Sequence, residues 1–109
     1  MGTVTNIFRV NFSVGEVVHH RLFDYRGVIV DVDKDFQGSN QWYAVVAKSR
    51  PPKNKPWYHV LVDGSSHSTY VAEQNLEHDD SGDPIEHPML EHFFSNFENG
   101  KYRRRGATN

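Results

Sequence analysis

The sequence predicts a mainly β protein, a small and strongly bent antiparallel β-barrel of about five strands that ends in a C-terminal α-helix. Three observations support this fold class. The chain has 109 residues, which is the size of one domain. Short β-branched runs alternate with turn residues along most of it. One helical pattern occurs, at the end of the chain, so no helix lies between strands to form a parallel crossover.

The first half contains two predicted strands. Residues 1–12 form a lead-in, and residues 16–20 form a short first strand. Residues 25–33 (YRGVIVDVD) give the strongest strand signal, and the glycine at position 27 predicts a bulge or bend there. Residues 34–40 are turn-like. Residues 41–48 fit either a short helix or an irregular stretch.

The second half begins with a proline-rich loop at residues 49–56. Residues 57–62 and 67–72 then predict a β-hairpin around the turn at 63–66. A single tight turn is expected just after it, at 73–75. We expect Val28, Val30, Val60 and Tyr70, which lie in the middle of the best strand segments, to be mostly buried.

The C-terminal segment changes period. Its apolar residues recur at helical spacing and predict a helix over about 87–98, stopped by an asparagine and a glycine; these apolar residues are Met89, Leu90, Phe93, Phe94 and Phe97. The chain therefore divides into a lead-in (1–12), a single domain (13–98) and a flexible basic tail (99–109).

Several function classes are excluded by composition. The chain has no cysteine, which excludes disulfides, cysteine-based zinc sites and thiol catalysis. No apolar run approaches the roughly 18–20 residues of a membrane helix. The N-terminus has neither a secretory signal nor a myristoylation pattern. We therefore expect a cytoplasmic protein with no membrane association.

An enzyme is not expected. The glycine patterns of phosphate and dinucleotide sites are absent, and the seven histidines show no metal-ligand spacing. The alternating carboxylates Asp31, Asp33 and Asp35 could share one face, where solubilising a strand end is a simpler role than binding a cation. We predict no catalytic residues, no cofactor and no metal site.

Charge is unevenly distributed. Four of the 12 basic residues lie at 101–105, so residues 1–100 contain eight basic and 14 acidic residues, a net charge of −6. An acidic body disfavours nucleic-acid binding unless the cations cluster. Residues 48–55 form a basic loop that leads into an aromatic pair, an arrangement that can bind nucleic acid through phosphate contacts and base stacking. A solvated loop that protects a sheet edge is the simpler interpretation. The candidate binding residues are Arg21, Arg26, Lys48, Arg50, Lys53, Lys55, Trp57, Arg103, Arg104 and Arg105.

Four segments together resemble one family. They are residues 14–20 (VGEVVHH), 25–33 (YRGVIVDVD), 56–61 (PWYHVL) and 69–76 (TYVAEQNL). In this order and spacing they are similar to the HspQ family of bacterial heat shock proteins, whose domain is also described as YccV-like or hemimethylated-DNA-binding. The resemblance covers residues 12–78 and extends to the predicted helix.

The resemblance implies an SH3-like β-barrel and a small cytoplasmic stress protein without enzymatic activity. Family members are linked to degradation of denatured or unstable proteins such as DnaA, to the Lon protease as adaptor or specificity enhancer, and to hemimethylated origin DNA. The first hypothesis is therefore a protein-quality-control factor whose partners are a Lon-like ATP-dependent protease and unstable client proteins. The alternatives are a DNA-binding module that uses the basic loop and tail, and a subunit of a homo-oligomer.

Overall fold

A computed structural model describes residues 9–106 and shows a mainly β protein. The described residues contain seven strands, two short helices and one 3₁₀ turn. The strands are Val17–His20 (β1), Arg26–Asp33 (β2), Trp57–Val62 (β3), Ser68–Ala72 (β4), Leu76–His78 (β5), Phe94–Glu98 (β6) and Lys101–Arg104 (β7); the helices are Asn40–Val46 (α1) and Leu90–Phe93 (α2), and the 3₁₀ turn is Glu73–Asn75. None of the helices in this part of the chain is long and apolar enough to cross a membrane.

Five of the strands form one antiparallel sheet in the order β4-β3-β2-β1-β5. The predicted hairpin between β3 and β4 is confirmed, and so is the tight turn that follows β4. The sheet is open, because β4 and β5 each pair on one side only. The structure therefore shows the antiparallel β class, whereas these ladders do not close the sheet into a barrel.

Strand β2 carries a bulge, but not at the predicted glycine. The register with β3 shifts between Ile29 and Asp31, so the extra residue is Val30. Gly27 has a different role, because a Cβ there would lie 2.5 Å from a methyl carbon of Val60 and 2.6 Å from a main-chain oxygen of β3. The prediction of a bend at Gly27 was therefore wrong in position, and close strand packing explains the glycine.

Both faces of the sheet are packed. Val18, Ile29, Tyr58 and Val60 belong to one cluster, and a second cluster forms on the opposite face beneath the C-terminal segment. Of the four residues expected in the core, Val28 and Val60 are fully buried, whereas Val30 and Tyr70 are only half-buried. Val30 is the bulged residue, which explains its incomplete burial.

The predicted C-terminal helix over 87–98 was wrong over most of its length. Only Leu90–Phe93 is helical, and the chain then forms a hairpin of β6 and β7 around Asn99 and Gly100, whose φ angles are +55° and +77°. A bulge after Phe94 shifts the register, so that Phe94 and Phe97, three residues apart, face the same side and contact Tyr102. A bulged strand thus reproduced the spacing of a helix.

The expected flexible tail is also corrected for residues 99–106. Tyr102 is buried, its hydroxyl accepts a hydrogen bond from the Ile85 amide at 3.0 Å, and its own amide donates to the Gly15 carbonyl at 2.9 Å. At the other end of the chain, Phe12 from the expected lead-in is buried against Tyr58. Residues 1–8 and 107–109 lie outside the described residues.

Candidate functional site

An apolar groove of about 690 Å³ opens at the β4 edge of the sheet. The turn after β1, the strand β4 and the helix α1 form its walls. Three large apolar side chains in these walls are exposed to water: Leu22 (58% exposed), Phe23 (72%) and Val46 (51%). Because water-exposed apolar patches on folded proteins often mark binding surfaces, this groove is the candidate site.

A buried histidine presents Leu22 and Phe23. The His20 Nδ1 atom accepts hydrogen bonds from the Leu22 amide at 3.1 Å and the Phe23 amide at 3.0 Å. The His20 ring also stacks on Phe23, with 4.7 Å between ring centroids. Burial, and then the adjacent His19, lowers the pKa of His20 below 6.5. A neutral imidazole that accepts at Nδ1 therefore holds this wall in place.

The opposite wall is aromatic. Helix α1 begins at a Ser39 cap whose Oγ accepts from the Trp42 amide at 3.0 Å, and this settles the alternative at residues 41–48 in favour of a helix. Trp42 packs against Tyr70 and Trp57, with ring centroids 5.8 and 6.1 Å apart. Trp57 is only 1% exposed, and its indole N–H donates to the Pro52 carbonyl. Because it is buried, the Trp57 ring has no free face on which a nucleic-acid base could stack, and it forms the floor of the groove.

The predicted basic loop lies directly after α1. Lys53 donates to the Asn40 side chain at 3.1 Å and lies over the Tyr43 ring, while Arg50 lies 5.9 Å from the same ring. Among residues 9–106, Arg21, Lys48, Arg50, Lys53 and Lys55 are exposed and form no salt bridge. These five predicted residues therefore present unpaired cations.

The remaining predicted cations have structural partners or lie on another element. Arg26 pairs with Asp63 at 3.2 Å and with Asp79 at 3.1 Å, and it also donates to main-chain oxygens of the 79–86 segment. Arg103 and Arg104 lie on β7, and Arg105 follows it. Arg103 pairs with Glu98, Arg104 is exposed, and Arg105 donates to the carbonyls of Glu91 and Phe94. The structure thus does not unite the predicted residues into one surface.

Burial alone would raise the pKa of Asp79. Hydrogen bonds from Arg26 and Ser81 outweigh that effect and hold the pKa below its ordinary value. Arg26 therefore clamps the 79–86 segment to the sheet as a charged, hydrogen-bonded group.

One group of side chains has the composition of a metal site. Asp31, Asp33 and His59 bring one ligand atom each within 4.8 Å of one another. The bulge at Val30 places Asp31 directly opposite His59 on β3, so sequence spacing alone could pair Asp31 with Asp33 but could not find His59. Asp33 already accepts a hydrogen bond from the Tyr70 hydroxyl at 2.6 Å and lies 3.2 Å from His59 Nε2. Tyr70, Asp33 and His59 accordingly form a hydrogen-bonded network on the sheet, with the Asp31 carboxylate close to it.

Sequence reasoning missed the groove itself. Residues 22–24 lie in the connection between the predicted strands at 16–20 and 25–33, and a leucine and a phenylalanine are unusual in a turn, where polar residues prevail. That anomaly was the available signal. The meeting of this turn with α1, across the β4 edge, depends on the tertiary fold.

Comparison with known families supports the resemblance of the four segments. Residues 10–101 match the family model described as "YccV-like: Hemimethylated DNA-binding protein YccV like". The match includes the strands β1 to β6, the helix α1 and every wall of the groove. Since it spans most of the chain, the protein belongs to the YccV-like family.

Proposed function

We propose that this protein is a non-enzymatic quality-control factor that binds denatured or unstable client proteins in the apolar groove and promotes their degradation by a Lon-like ATP-dependent protease. The observation that carries this proposal is the exposure of Leu22, Phe23 and Val46 around one groove. Native proteins bury most of their large apolar side chains, whereas denatured ones expose them. A groove with such walls therefore distinguishes unfolded from folded partners.

A reconstituted degradation assay tests this proposal. The Phe23→Ser variant removes the most exposed apolar group of the groove and should lose most of the stimulation of client degradation. Met89→Ser is the matched control, because Met89 is also exposed (42%) but lies outside the groove. Circular dichroism should show both variants folded. Full stimulation by Phe23→Ser would exclude the groove as the client site.

DNA binding is a second candidate function. It is favoured by the family description and by the unpaired cations around α1, which could contact phosphates. The acidic balance of residues 1–100 acts against it. A mobility-shift assay with hemimethylated, fully methylated and unmethylated duplexes tests whether binding exists and whether methylation affects it.

A further inference from the structure

We propose that the groove binds its client as an added β-strand: an extended apolar segment, flanked by a carboxylate, pairs with the free edge of β4. This inference rests on the proposed function and specifies the substrate class of the same groove. The occupant is a segment of another, unfolded polypeptide. Three features of the described residues support it: the hydrogen-bonding phase of β4, the course of the groove and the charge at its rim.

The phase of the β3–β4 ladder shows which main-chain groups are free. The Val62 amide donates to the His67 carbonyl and the Glu73 amide donates to the Pro56 carbonyl, both at 3.0 Å. Because hydrogen-bonded pairs alternate along an antiparallel ladder, Thr69 and Val71 direct their main-chain groups toward β3. The amides and carbonyls of Ser68 and Tyr70 therefore point away from the sheet, at an edge that has no neighbouring strand among the described residues.

The groove runs along this edge. All five residues of β4 line it, including those on both faces of the sheet. Leu22 and Phe23 lie on one side, and Trp42 and Val46 lie on the other. A strand placed in the groove would pair with the edge through its main chain, while its alternating side chains would contact the two apolar walls.

The rim of the groove is positive on its α1 side, in a protein with an acidic body. The groove lining contains Lys48 and no carboxylate. Arg50 follows Lys48 in sequence, and neither is in a salt bridge among residues 9–106. Charge complementarity thus favours an apolar segment with an acidic residue beside it.

Strand addition also suits a factor that accepts many clients. Main-chain hydrogen bonds are common to every sequence, so affinity does not require one particular set of side chains. An unfolded segment can become extended, whereas a native helix or a buried strand cannot reach the edge. The geometry therefore selects for the unfolded state as well as for apolar composition.

The test uses a synthetic seven-residue peptide with an amidated C-terminus, in which leucine and valine alternate and the last residue is glutamate. Binding is followed by tryptophan fluorescence, because both tryptophans of the chain line the groove, and by amide hydrogen exchange. We expect the Ser68 and Tyr70 amides to become protected when the peptide binds. Thr69 and Val71, already paired with β3, are the internal controls and should change little.

A second peptide, N-methylated at alternate residues, keeps the side chains but cannot pair along one edge. It should bind about tenfold more weakly, since two main-chain hydrogen bonds are lost. Ser68→Pro should have a similar effect on the unmethylated peptide, because proline is tolerated on an edge strand where its N–H would face outward. Lys48→Gln should lower the affinity for the peptide that ends in glutamate and leave the affinity for a peptide that ends in glutamine unchanged.

The outcomes separate the two proposals. Equal affinity of the unmethylated and N-methylated peptides, with no protection of the Ser68 and Tyr70 amides, would overturn strand addition and leave the groove as an apolar client site. If neither the unmethylated nor the N-methylated peptide binds, the inference is overturned, while the Phe23→Ser degradation assay still decides the proposed function.

Discussion

His19 and His20 are adjacent on β1, and their side chains have opposite electrostatic environments. His19 is bonded by Asp24 at 2.6 Å and by Glu77 at 2.8 Å, and these hydrogen bonds raise its pKa above 6.5. His20 is buried and accepts two main-chain hydrogen bonds, and burial lowers its pKa below 6.5. Two identical residues thus respond to acid in opposite directions.

The first prediction concerns acid. The stability contributed by neutral His20 is present above pH 6.5 and is lost as the pH falls through its lowered pKa. The stability contributed by protonated His19 is present below pH 6.5 and is lost as the pH rises through its raised pKa. Protonation of His20 Nδ1 removes the acceptor that holds Leu22 and Phe23, so their amide resonances should shift with the His20 titration in NMR spectra. A His20 pKa above 6.5 would contradict this assignment.

Arg26 provides the second prediction. Its side chain is about three-quarters buried, and the guanidinium contacts two carboxylates. Arg26→Met should therefore lower the free energy of unfolding by about 2–3 kcal/mol, because charged partners lose their hydrogen bonds. The stability lost should include the part that wild type loses as the pH falls through the lowered pKa of Asp79.

Urea melts at neutral and acidic pH measure this effect. Arg21→Met is the control, since Arg21 is exposed and its side chain bonds only one carbonyl, at 3.4 Å; it should change stability by less than about 0.5 kcal/mol. Equal midpoints for the two variants would show that the Arg26 clamp is not structural.

Strand β2 shows how one inserted residue changes the face of the sheet on which the following side chains lie. Strict alternation along residues 25–33 would place Val28, Val30 and Val32 on one face, but the bulge at Val30 turns the residues after it to the other face. Val28 and Val30 pack with the second cluster, whereas Val32 joins the first. The bulge also sets Asp31 opposite His59, close to the hydrogen bonds that join Asp33 to His59 and Tyr70.

Two alanine substitutions on this strand make the third prediction. Val28→Ala should cost on the order of 2 kcal/mol of unfolding free energy, because the side chain is fully buried. Val30→Ala removes the same atoms from a half-buried, bulged position and should cost about 1 kcal/mol or less. Urea melts compare them directly, and a larger loss at Val30 would be inconsistent with the observed register.

The β6–β7 hairpin gives the fourth prediction. Deleting residues 101–109 removes Tyr102 from the second cluster, together with its hydrogen bonds to Ile85 and Gly15. The loss of a buried tyrosine and of one strand should cost at least about 3 kcal/mol. Arg104→Gln is the control, because Arg104 is exposed on the same strand, and it should preserve the melting midpoint. If the deletion variant were equally stable, the packing of β7 would be contradicted.

At the scale of the whole molecule, charge and apolar surface are arranged around α1. The basic loop and the groove adjoin one another, and both contain Lys48. The acidic residues of 77–98 lie outside the groove lining. This arrangement allows a client segment with a carboxylate and a DNA phosphate to compete for some of the same cations.

The fifth prediction therefore concerns salt. If DNA binds at this loop, Lys53→Gln combined with Lys55→Gln should reduce the slope of log affinity against log salt by about 1.8 units, since each phosphate contact contributes about 0.9. Arg103→Gln should change the slope less, because Arg103 is paired with Glu98 at 3.0 Å. Filter-binding titrations measure both slopes, and an effect confined to Arg103 would move the DNA site to the hairpin.

Local sequence signals predicted the central part of the fold. β-branched runs marked β1 to β4, and turn residues marked the β3–β4 hairpin, because strand propensity and turn chemistry act over a few residues. The C-terminal hairpin could not be predicted in the same way. Its apolar spacing satisfied a helix, and only contact of Phe94 and Phe97 with Tyr102 favoured strands.

The candidate site was likewise only partly predictable from the sequence. The basic loop at 48–55 was predicted, because a basic and proline-rich sequence is typical of an exposed loop. The burial of Trp57 and the pairing of Arg26 with Asp79 were not, because burial and ion pairing depend on residues that are remote in sequence.

The sequence by itself determined the β class, the strand positions from β1 to β4, the family and the basic loop, since each follows from neighbouring residues or their order. Only the tertiary structure decided the bulge at Val30, the C-terminal hairpin and the groove between Phe23 and Val46. The bulge and the groove arise where segments more than 20 residues apart meet, and the hairpin is fixed by the contacts of Tyr102 with Ile85 and Gly15. Burial and main-chain hydrogen bonding at such contacts outweigh the local preferences of each segment.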